Sequence, residues 1–520
     1  MPQKVLQTRI LGCHFTHLPT DRIARKRWGR SWRLNNRPSH PPIIVIDMIK
    51  NAMRIVAMEA DERLHGIHLD QTLSDARAIN PDLECIQHDP YADMTSLKKI
   101  AHWCERYTPL VSLSGADGLF LDITGCAHLF DGERAMLEDM SQRLKAQGFN
   151  VKLAIADTAG AAWALARYSN VQIAEPNSHP PLLENLPLNA LRLPHDKVVE
   201  LARVGFKTIG ALIDLPRAPI ATRFGNDILR RLDQALGRED EALSLLQPLA
   251  ELVREKRFPD PIAYEDDIKA TIKLLAQALV SDLEQRGLGM RQCRIQLFRA
   301  DGEVAMLEVE ASSPLRNAKQ IAALFDERLA SLHDEWDAGF GFDIIQLSIL
   351  RSERLDAWQE DLVTQPTSQE TVTHLIDRLS ARLGADRVLV YQLADTHIPE
   401  RRFNLTSAIH HTPDTELLQN MDMATCPILL LQRPELADVM AEVPEGPPIR
   451  FRWRKAPYEV VRSEGPQRIA CEWWKDGRAA HTRDYFRIET TDGYRLWLFR
   501  HGLYEREINT PKWYVHGIFA

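Results

Sequence analysis

One stretch constrains this chain more than any other: Ser114-Gly-Ala-Asp-Gly-Leu-Phe-Leu-Asp-Ile-Thr-Gly-Cys-Ala-His-Leu-Phe130. Its centre, Leu119 to Ile123, is a short apolar run broken only by Asp122 and closed by Thr124-Gly125. That is the pattern of a buried strand ending in a turn. A single acid, Asp117, stands before the strand, and Gly118 follows it where a second acid would make a pair. Helical periodicity surrounds the strand, over Ser96 to Tyr107 (Leu97, Ile100, Ala101, Cys104) and Arg134 to Gln147 (Met136, Leu137, Met140, Leu144). Val151 to Ala156 is then predicted as a strand. Thr158 to Tyr168 is predicted as a helix of small residues, with Arg167 its only cation. Strands and helices alternating in this way build an α/β layer.

The length of 520 residues leaves room for three or four domains, and 44% hydrophobic with 26% charged residues describes an ordinary globular chain. No apolar run approaches the ~18 residues that cross a bilayer, and Met1-Pro-Gln-Lys-Val-Leu lacks a signal-peptide core, so a cytoplasmic location is expected. The seven cysteines are scattered without a Cys-x-x-Cys pair, which reads as reduced thiols rather than disulfides or zinc. A net charge of −8 argues against a protein that coats nucleic acid electrostatically. DNA contact, if made, has to come from local basic patches and be salt-sensitive.

Gln7 to Phe15 is predicted as a first buried strand, leaving through Cys13-His14-Phe15, with the next acid, Asp21, beyond Pro19. Arg22 to Arg37 is rich in Arg and Lys with Trp28 and Trp32 interleaved, which suits either a nucleic-acid or partner patch or a solvated basic helix. Pro42 to Met58 suggests a hairpin. Asn177 to Pro194 is proline-rich and reads as a linker. Beyond it, Leu201-Ala-Arg-Val-Gly205-Phe-Lys207-Thr208-Ile-Gly210 has the form of a helix-hairpin-helix, with Gly205 at the turn and the second helix offering N–H groups to a phosphate. A purely structural hairpin reads the same way. Glu251 to Leu350 carries a long helix (Ile268 to Arg286), period-two strands at Arg291 to Arg299 and Val304 to Glu310, a second helix (Ala318 to His333) and a last strand at Ile344 to Leu350. The C-terminal portion holds short aromatic strands such as Arg450-Phe-Arg-Trp-Arg, Leu496-Trp-Leu-Phe-Arg and Trp513-Tyr-Val-His-Gly, which imply a small all-β module.

The central stretch resembles the palm motif of Y-family lesion-bypass DNA polymerases, Ser-Ile-Asp-Glu-Ala-Phe-Leu-Asp-Val-Thr-Gly. Aligned on Leu121-Asp122-Ile123-Thr124-Gly125, the family's catalytic Asp falls on Asp117 and its catalytic Glu on Gly118. Glu59-Ala-Asp-Glu-Arg63-Leu-His-Gly66-Ile67 resembles the fingers segment, with Arg63 at the triphosphate-contacting Arg and Ala60 at the Tyr; Arg63 equally suits an ion pair with Glu59. The small-residue helix lacks the family's phosphate-directed Lys, and the first strand lacks its metal-binding Asp. A new metal site from His14 and Asp117, or simply a packed palm histidine, are the two readings of His14.

The resemblance extends along nearly the whole chain to the ImuB family, the Y-family-like members of the bacterial DNA-damage mutasome. It implies an α+β multidomain fold: a palm from 1–20 and 96–175, fingers at 21–95, a thumb at 176–248, a little finger at 249–351, a linker at 352–370, a connecting region at 371–445 and a β module at 446–520. It further implies a non-catalytic scaffold with no cofactor or metal, only a vestigial Asp117, and backbone DNA contacts through Gly205, Lys207, Thr208, Gly210, Arg291 and Arg294. The implied partners are the sliding clamp, a RecA-like ImuA-type protein and a C-family error-prone polymerase. An active divergent polymerase and a repair protein unrelated to bypass are the competing expectations. For the clamp, Trp358-Gln359-Glu360-Asp361-Leu362-Val363 fits the Gln-x-Asp/Ser-Leu-Phe pattern through Gln359, Asp361, Leu362 and Val363, with Gln346-Leu-Ser-Ile-Leu350 a looser match.

Overall fold

The computed structural model describes residues 7–34, 38–332, 339–355, 368–411, 426–442, 445–477 and 480–520. They fall into two compact units, 1–364 and 365–520. Among the described residues no helix is long and apolar enough to cross a membrane.

The first unit opens with β1 (Ile10–His14) and α1 (Leu18–Trp28). A hairpin follows, β2 (Ile43–Ile49) and β3 (Ala52–Met58), turning through Lys50 and Asn51, both with left-handed backbone. Two left-handed residues make the turn whose twist matches that of a hairpin. Next come α2 (Leu73–Ile79), β4 (Glu84–Gln87), α3 (Pro90–Cys104), β5 (Val111–Leu113), β6 (Gly118–Asp122), α4 (Glu133–Ala146), β7 (Lys152–Ala156) and α5 (Ala159–Tyr168). Two sheets result, β5-β6-β1-β7 and the smaller β3-β2-β4.

The larger sheet is covered on both faces, which is why its strands read as nearly continuous apolar runs. Leu11, Cys13, Leu119, Leu121, Leu153 and Ile155 meet α3 and α4 on one face. Ile10, Phe120, Ala154 and Ala156 meet α5 on the other. The small residues of α5 are a packing device. A Cβ on Gly12 would lie 2.9 Å from the carbonyl of Ala162, and one on Gly160 would lie 2.8 Å from the Cα of Ala235. Only small residues let this helix sit so close to the sheet below and to another helix above.

That other helix belongs to a group formed by α6 (His179–Glu184), α7 (His195–Arg203), α8 (Gly210–Ile213), α9 (Arg217–Phe224) and α10 (Asn226–Leu236). Asn177 to Pro194, expected as a linker, contributes instead to this core: Leu183, Leu188 and Leu191 are buried in it. Its prolines start helical turns rather than keep the chain extended. The remainder of the unit is an antiparallel sheet with two helices: β8 (Leu252–Ile262), α11 (Glu265–Arg286), β9 (Leu288–Arg299), β10 (Val304–Leu315), α12 (Ala318–Ala330) and β11 (Phe342–Arg354), in the order β10-β9-β11-β8.

The second unit begins with α13 (Ser368–Leu383) and the hairpin β12 (Leu389–Leu393) and β13 (Phe403–Ser407). It ends in a closed six-stranded barrel of β14 (Leu429–Ala441), β15 (Pro448–Trp453), β16 (Ala456–Ile469), β17 (Arg483–Thr490), β18 (Arg495–His501) and β19 (Lys512–Ile518). The alternation expected of β strands produces two aromatic layers. Phe451, Trp453, Phe486, Leu498, Trp513 and Val515 form one cluster. Tyr485, Trp497, Phe499 and Tyr514 form another, together with Ile398. The barrel starts earlier than the 446–520 module expected from the sequence, because β14 closes it by pairing with both β15 and β19. The segment around Glu442 is therefore the connection between two barrel strands, not a linker between domains.

Candidate palm site and its electrostatics

The antiparallel register of β1 and β6 sets His14 opposite Gly118. Asp117 immediately precedes β6, and its carbonyl accepts the Phe15 amide at 2.8 Å. α5 crosses this end of the sheet and brings Arg167 in its last turn. Arg167 donates to Asp117 Oδ1 at 2.6 Å, and His14 Nε2 lies 3.3 Å from Oδ2. The Arg167 guanidinium also lies 4.1 Å from the Trp163 ring centroid. Burial by itself raises the Asp117 carboxyl, but the His14 hydrogen bond and the Arg167 charge hold it below its ordinary range.

Gly118 is buried against this pair. A Cβ there would lie 2.9 Å from the Cys13 carbonyl oxygen, 3.0 Å from that of Ser114 and 3.1 Å from Arg167 Nη2. The site is filled where a second acid would stand. Cys13, at the end of the first strand, is buried, and that burial pushes its thiol up. His14 thus faces Asp117 together with Arg167. The rest of the motif closes a turn: Asp122 Oδ1 accepts the Thr124 amide at 3.0 Å, and Thr124 Oγ1 accepts the Arg9 amide at 2.9 Å.

The other candidate residues lie elsewhere. Arg63 pairs with Asp61 at 2.6 Å and donates to the His40 carbonyl at 2.9 Å, so its ion-pair partner is Asp61 and not Glu59. Glu59 is committed to the Ile43 amide at 2.8 Å. Four arginines in and just after α1 are paired internally. Arg22 binds Asp93, Arg27 binds Glu84, Arg30 binds Glu303 and Arg33 binds Asp21, while Trp32 is buried with its indole on the Gly148 carbonyl.

At the expected helix-hairpin-helix, Gly205 has φ +97 and ends α7, with its amide on the Ala202 carbonyl at 3.0 Å. The second helix, α8, is a single turn of four residues, too short to aim a row of amides at phosphate. Thr208 bridges Pro187, and a Cβ on Gly210 would lie 3.0 Å from the Glu184 carbonyl oxygen, so both hold the helices together. Lys207 is exposed.

In the four-stranded sheet Arg291 pairs with Glu353 at 3.2 Å, and Arg294 is buried with Glu308 at 2.7 Å. Arg299 is tied to Asp301 at 2.7 Å. None of these arginines forms an open basic face, because neighbouring strands and the turn after β9 place acids beside them. The sheet face that carries Gln296 is turned onto the end of α3, where Gln296 bonds Glu105, and Arg106 binds Asp343 at 2.5 Å. Gln359, Asp361, Leu362 and Val363 lie outside the described residues. Gln346 sits within β11 in register with Gln296 and Glu255, so its backbone is already paired.

Residues 30–167 match the family model described as impB/mucB/samB family. The chain is 38% identical over 466 residues to the protein ImuB of Caulobacter vibrioides strain NA1000 / CB15N, covering 88% of this chain and 100% of that protein. The chain belongs to the ImuB family. It is also 23% identical over 292 residues to the DNA polymerase IV of Dehalococcoides mccartyi strain CBDB1, covering 54% of this chain and 73% of that one. Among solved structures it is similar to DinB from Sulfolobus solfataricus, with a TM-score of 0.38 and 12% identity over 67% of this chain and 100% of that one. This ImuB-family chain therefore has a Y-family polymerase-like mixed α/β body and a six-stranded β barrel at its C-terminal end.

Polymerases of this fold use two divalent cations, which need several convergent carboxylates. The residues here do not fit such a pair. Among the described residues one carboxylate stands at this site, Arg167 and His14 already face it, and the adjoining position has no room for a second acid. Arg167 is the member that sequence reasoning undervalued. Positions 14, 117 and 167 are linked by no spacing rule, and only the crossing of α5 over β1 joins them.

Proposed function

We propose that this protein is a non-catalytic, Y-family polymerase-like scaffold in error-prone translesion DNA synthesis. The observation that carries the reading is Asp117 paired with Arg167 and faced by His14, beside a glycine whose surroundings exclude a glutamate. A carboxylate so held already has Arg167 on one oxygen and His14 beside the other. Membership in the ImuB family supports the wider role: a body that contacts DNA weakly through its backbone, recruiting a sliding clamp, an ImuA-type RecA-like protein and a C-family error-prone polymerase that performs synthesis. On the body, exposed Lys207 is the expected phosphate contact retained from the thumb candidates. Gln359, Asp361, Leu362 and Val363 are the proposed clamp peptide. The test is primer extension by the purified chain with Mg²⁺ or Mn²⁺, with a Y-family polymerase as positive control. No extension is expected under either metal, and template-dependent incorporation that disappears in Asp117→Asn overturns the reading.

A further inference from the structure

Inside the first unit the sheet β10-β9-β11-β8 meets the helices of the palm along a charged seam. That sheet packs α11 and α12 and buries Ile272, Leu279, Ile295, Leu297, Phe325 and Leu347 of its own. Its Val304 rests on the core that holds Leu97 of α3 and Met140 of α4. Beside Val304 the contact is ionic. Arg106, just past α3, pairs with Asp343 of β11 at 2.5 Å, and Arg143 of α4 reaches the same carboxylate at 3.3 Å. Lys99 of α3 pairs with Glu303 at 3.6 Å, and Arg30, in the loop after α1, holds both Asp301 and Glu303 of the β9–β10 turn. Among the described residues, every ion pair across the seam puts its acid on the four-stranded sheet and its cation on the palm side. Glu105, an acid on the palm side, meets the neutral amide of Gln296.

The pairs are incompletely satisfied. Arg106 is 5% exposed, yet its Nη1 has no hydrogen-bond partner among the described residues. The same holds for Asp343 Oδ1 and for the indole N–H of Trp103, whose ring lies 5.1 Å from the Arg106 guanidinium. Buried ions with unmade hydrogen bonds lose to desolvation much of what their attraction gains. Parting the seam hydrates these groups. The chain has a place to bend, between Leu246, whose amide bonds the Val111 carbonyl, and the start of β8 at Leu252. We infer that the seam is a latch, which a nucleic-acid phosphate backbone opens by competing with Asp301, Glu303 and Asp343 for Arg30, Lys99, Arg106 and Arg143. The acids hold these cations as phosphate oxygens do: Asp343 is shared by two guanidinium groups, and Arg30 takes two carboxylates. A ligand that binds only the parted form draws the chain toward it. Only the choice of DNA as competitor rests on the function proposed above; the latch is a property of the chain alone.

The test uses the full chain. A carbodiimide joins Lys99 to Glu303 as an amide when the two are in contact, so the yield of that cross-link, read by mass spectrometry, reports the closed seam. Asp343→Asn touches neither residue, yet it should lower the yield at least ~3-fold, because the pairs close together. Anisotropy should show a labelled DNA duplex binding Asp343→Asn at least ~3-fold more tightly than Asp266→Asn, which makes the same charge change on the exposed surface of α11. Saturating duplex should also lower the wild-type cross-link. Thermal melting checks the fold of Asp343→Asn, and Arg143→Gln, at a half-exposed position, gives the cross-link reading a second time. A yield unmoved by both variants means a rigid seam and overturns the latch. Equal duplex affinity of Asp343→Asn and Asp266→Asn, or a wild-type yield unmoved by duplex, overturns phosphate as the competitor. A chain that binds no duplex in any form overturns it too and removes DNA contact from the proposed function, while the cross-link judges the latch separately.

Discussion

The Asp117–Arg167 pair makes a quantitative forecast that separates a structural acid from a catalytic one. Asp117→Ala removes the anion facing a guanidinium whose side chain is 8% exposed, and leaves His14 beside it. A fully buried charge stripped of its partner costs ~3–5 kcal/mol. The Asp117 side chain is 49% exposed, so water already screens part of the attraction and about 2 kcal/mol is expected. At ~2–4 °C per kcal/mol for a body of this size, the melting temperature should fall by about 4–8 °C. Asp117→Asn keeps an amide oxygen able to accept from Arg167, so its cost should be nearer ~1 kcal/mol, the net value of a hydrogen bond. The pH dependence has a definite sign. A carboxyl held below its ordinary range binds its proton later than in the unfolded chain, so the stabilisation is present above the unfolded value of ~4 and is lost as pH falls through the folded one. The gap between wild type and Asp117→Asn should shrink as pH falls below about 4. In cells, damage-induced mutagenesis by Asp117→Asn should stay close to wild type. A well-folded Asp117→Asn variant that abolishes mutagenesis gives the carboxylate a chemical role and refutes the argument, and an Asp117→Ala variant that melts like wild type refutes the pair itself.

The other predictions concern packing, the barrel and the clamp. Gly118→Glu places a Cβ against two carbonyl oxygens and should destabilise the body by ~1–3 kcal/mol without producing metal-dependent synthesis, measured by melting and primer extension. Truncation from Pro447 onward leaves β14 without β15 or β19, so its product should aggregate, whereas truncation just before Leu429 should leave a soluble remainder by gel filtration. His516 is fully buried on Tyr485, and burial lowers its pKa to about 4, so it stays neutral while the unfolded chain protonates. The barrel should therefore lose stability as pH falls from about 6.5 to about 4, and His516→Phe should flatten that slope in a chemical melt. Replacing Gln359, Leu362 and Val363 by Ala should weaken clamp binding at least ~10-fold in a direct titration, since two apolar side chains contribute a few kcal/mol before ordering costs.

Local pattern was sufficient for much of this molecule. The apolar run at Leu119–Ile123, the alternating strands of the four-stranded sheet and the helix over Arg134 to Gln147 form where their periodicity puts them, because each buries a face that its own sequence makes apolar. The missing acid at Gly118 was equally legible, since a residue's identity needs no fold to be read. What depended on tertiary structure was every question of partnership. Asn177 to Pro194 looked like a linker because proline and polar residues mark turns, yet its leucines are claimed by a core assembled from five helices. The arginines in and just after α1 and Arg294 of β9 looked available because sequence displays charges without their counter-ions, and Asp93, Glu84, Glu303 and Glu308 arrive from distant positions. The barrel could not be bounded from its composition, because β14 belongs to it only through hydrogen bonds to β15 and β19. The same holds for the palm. The sequence shows that one acid is left there, but Arg167 reaches it only because Gly12 and the small residues of α5 let that helix lie close against the sheet.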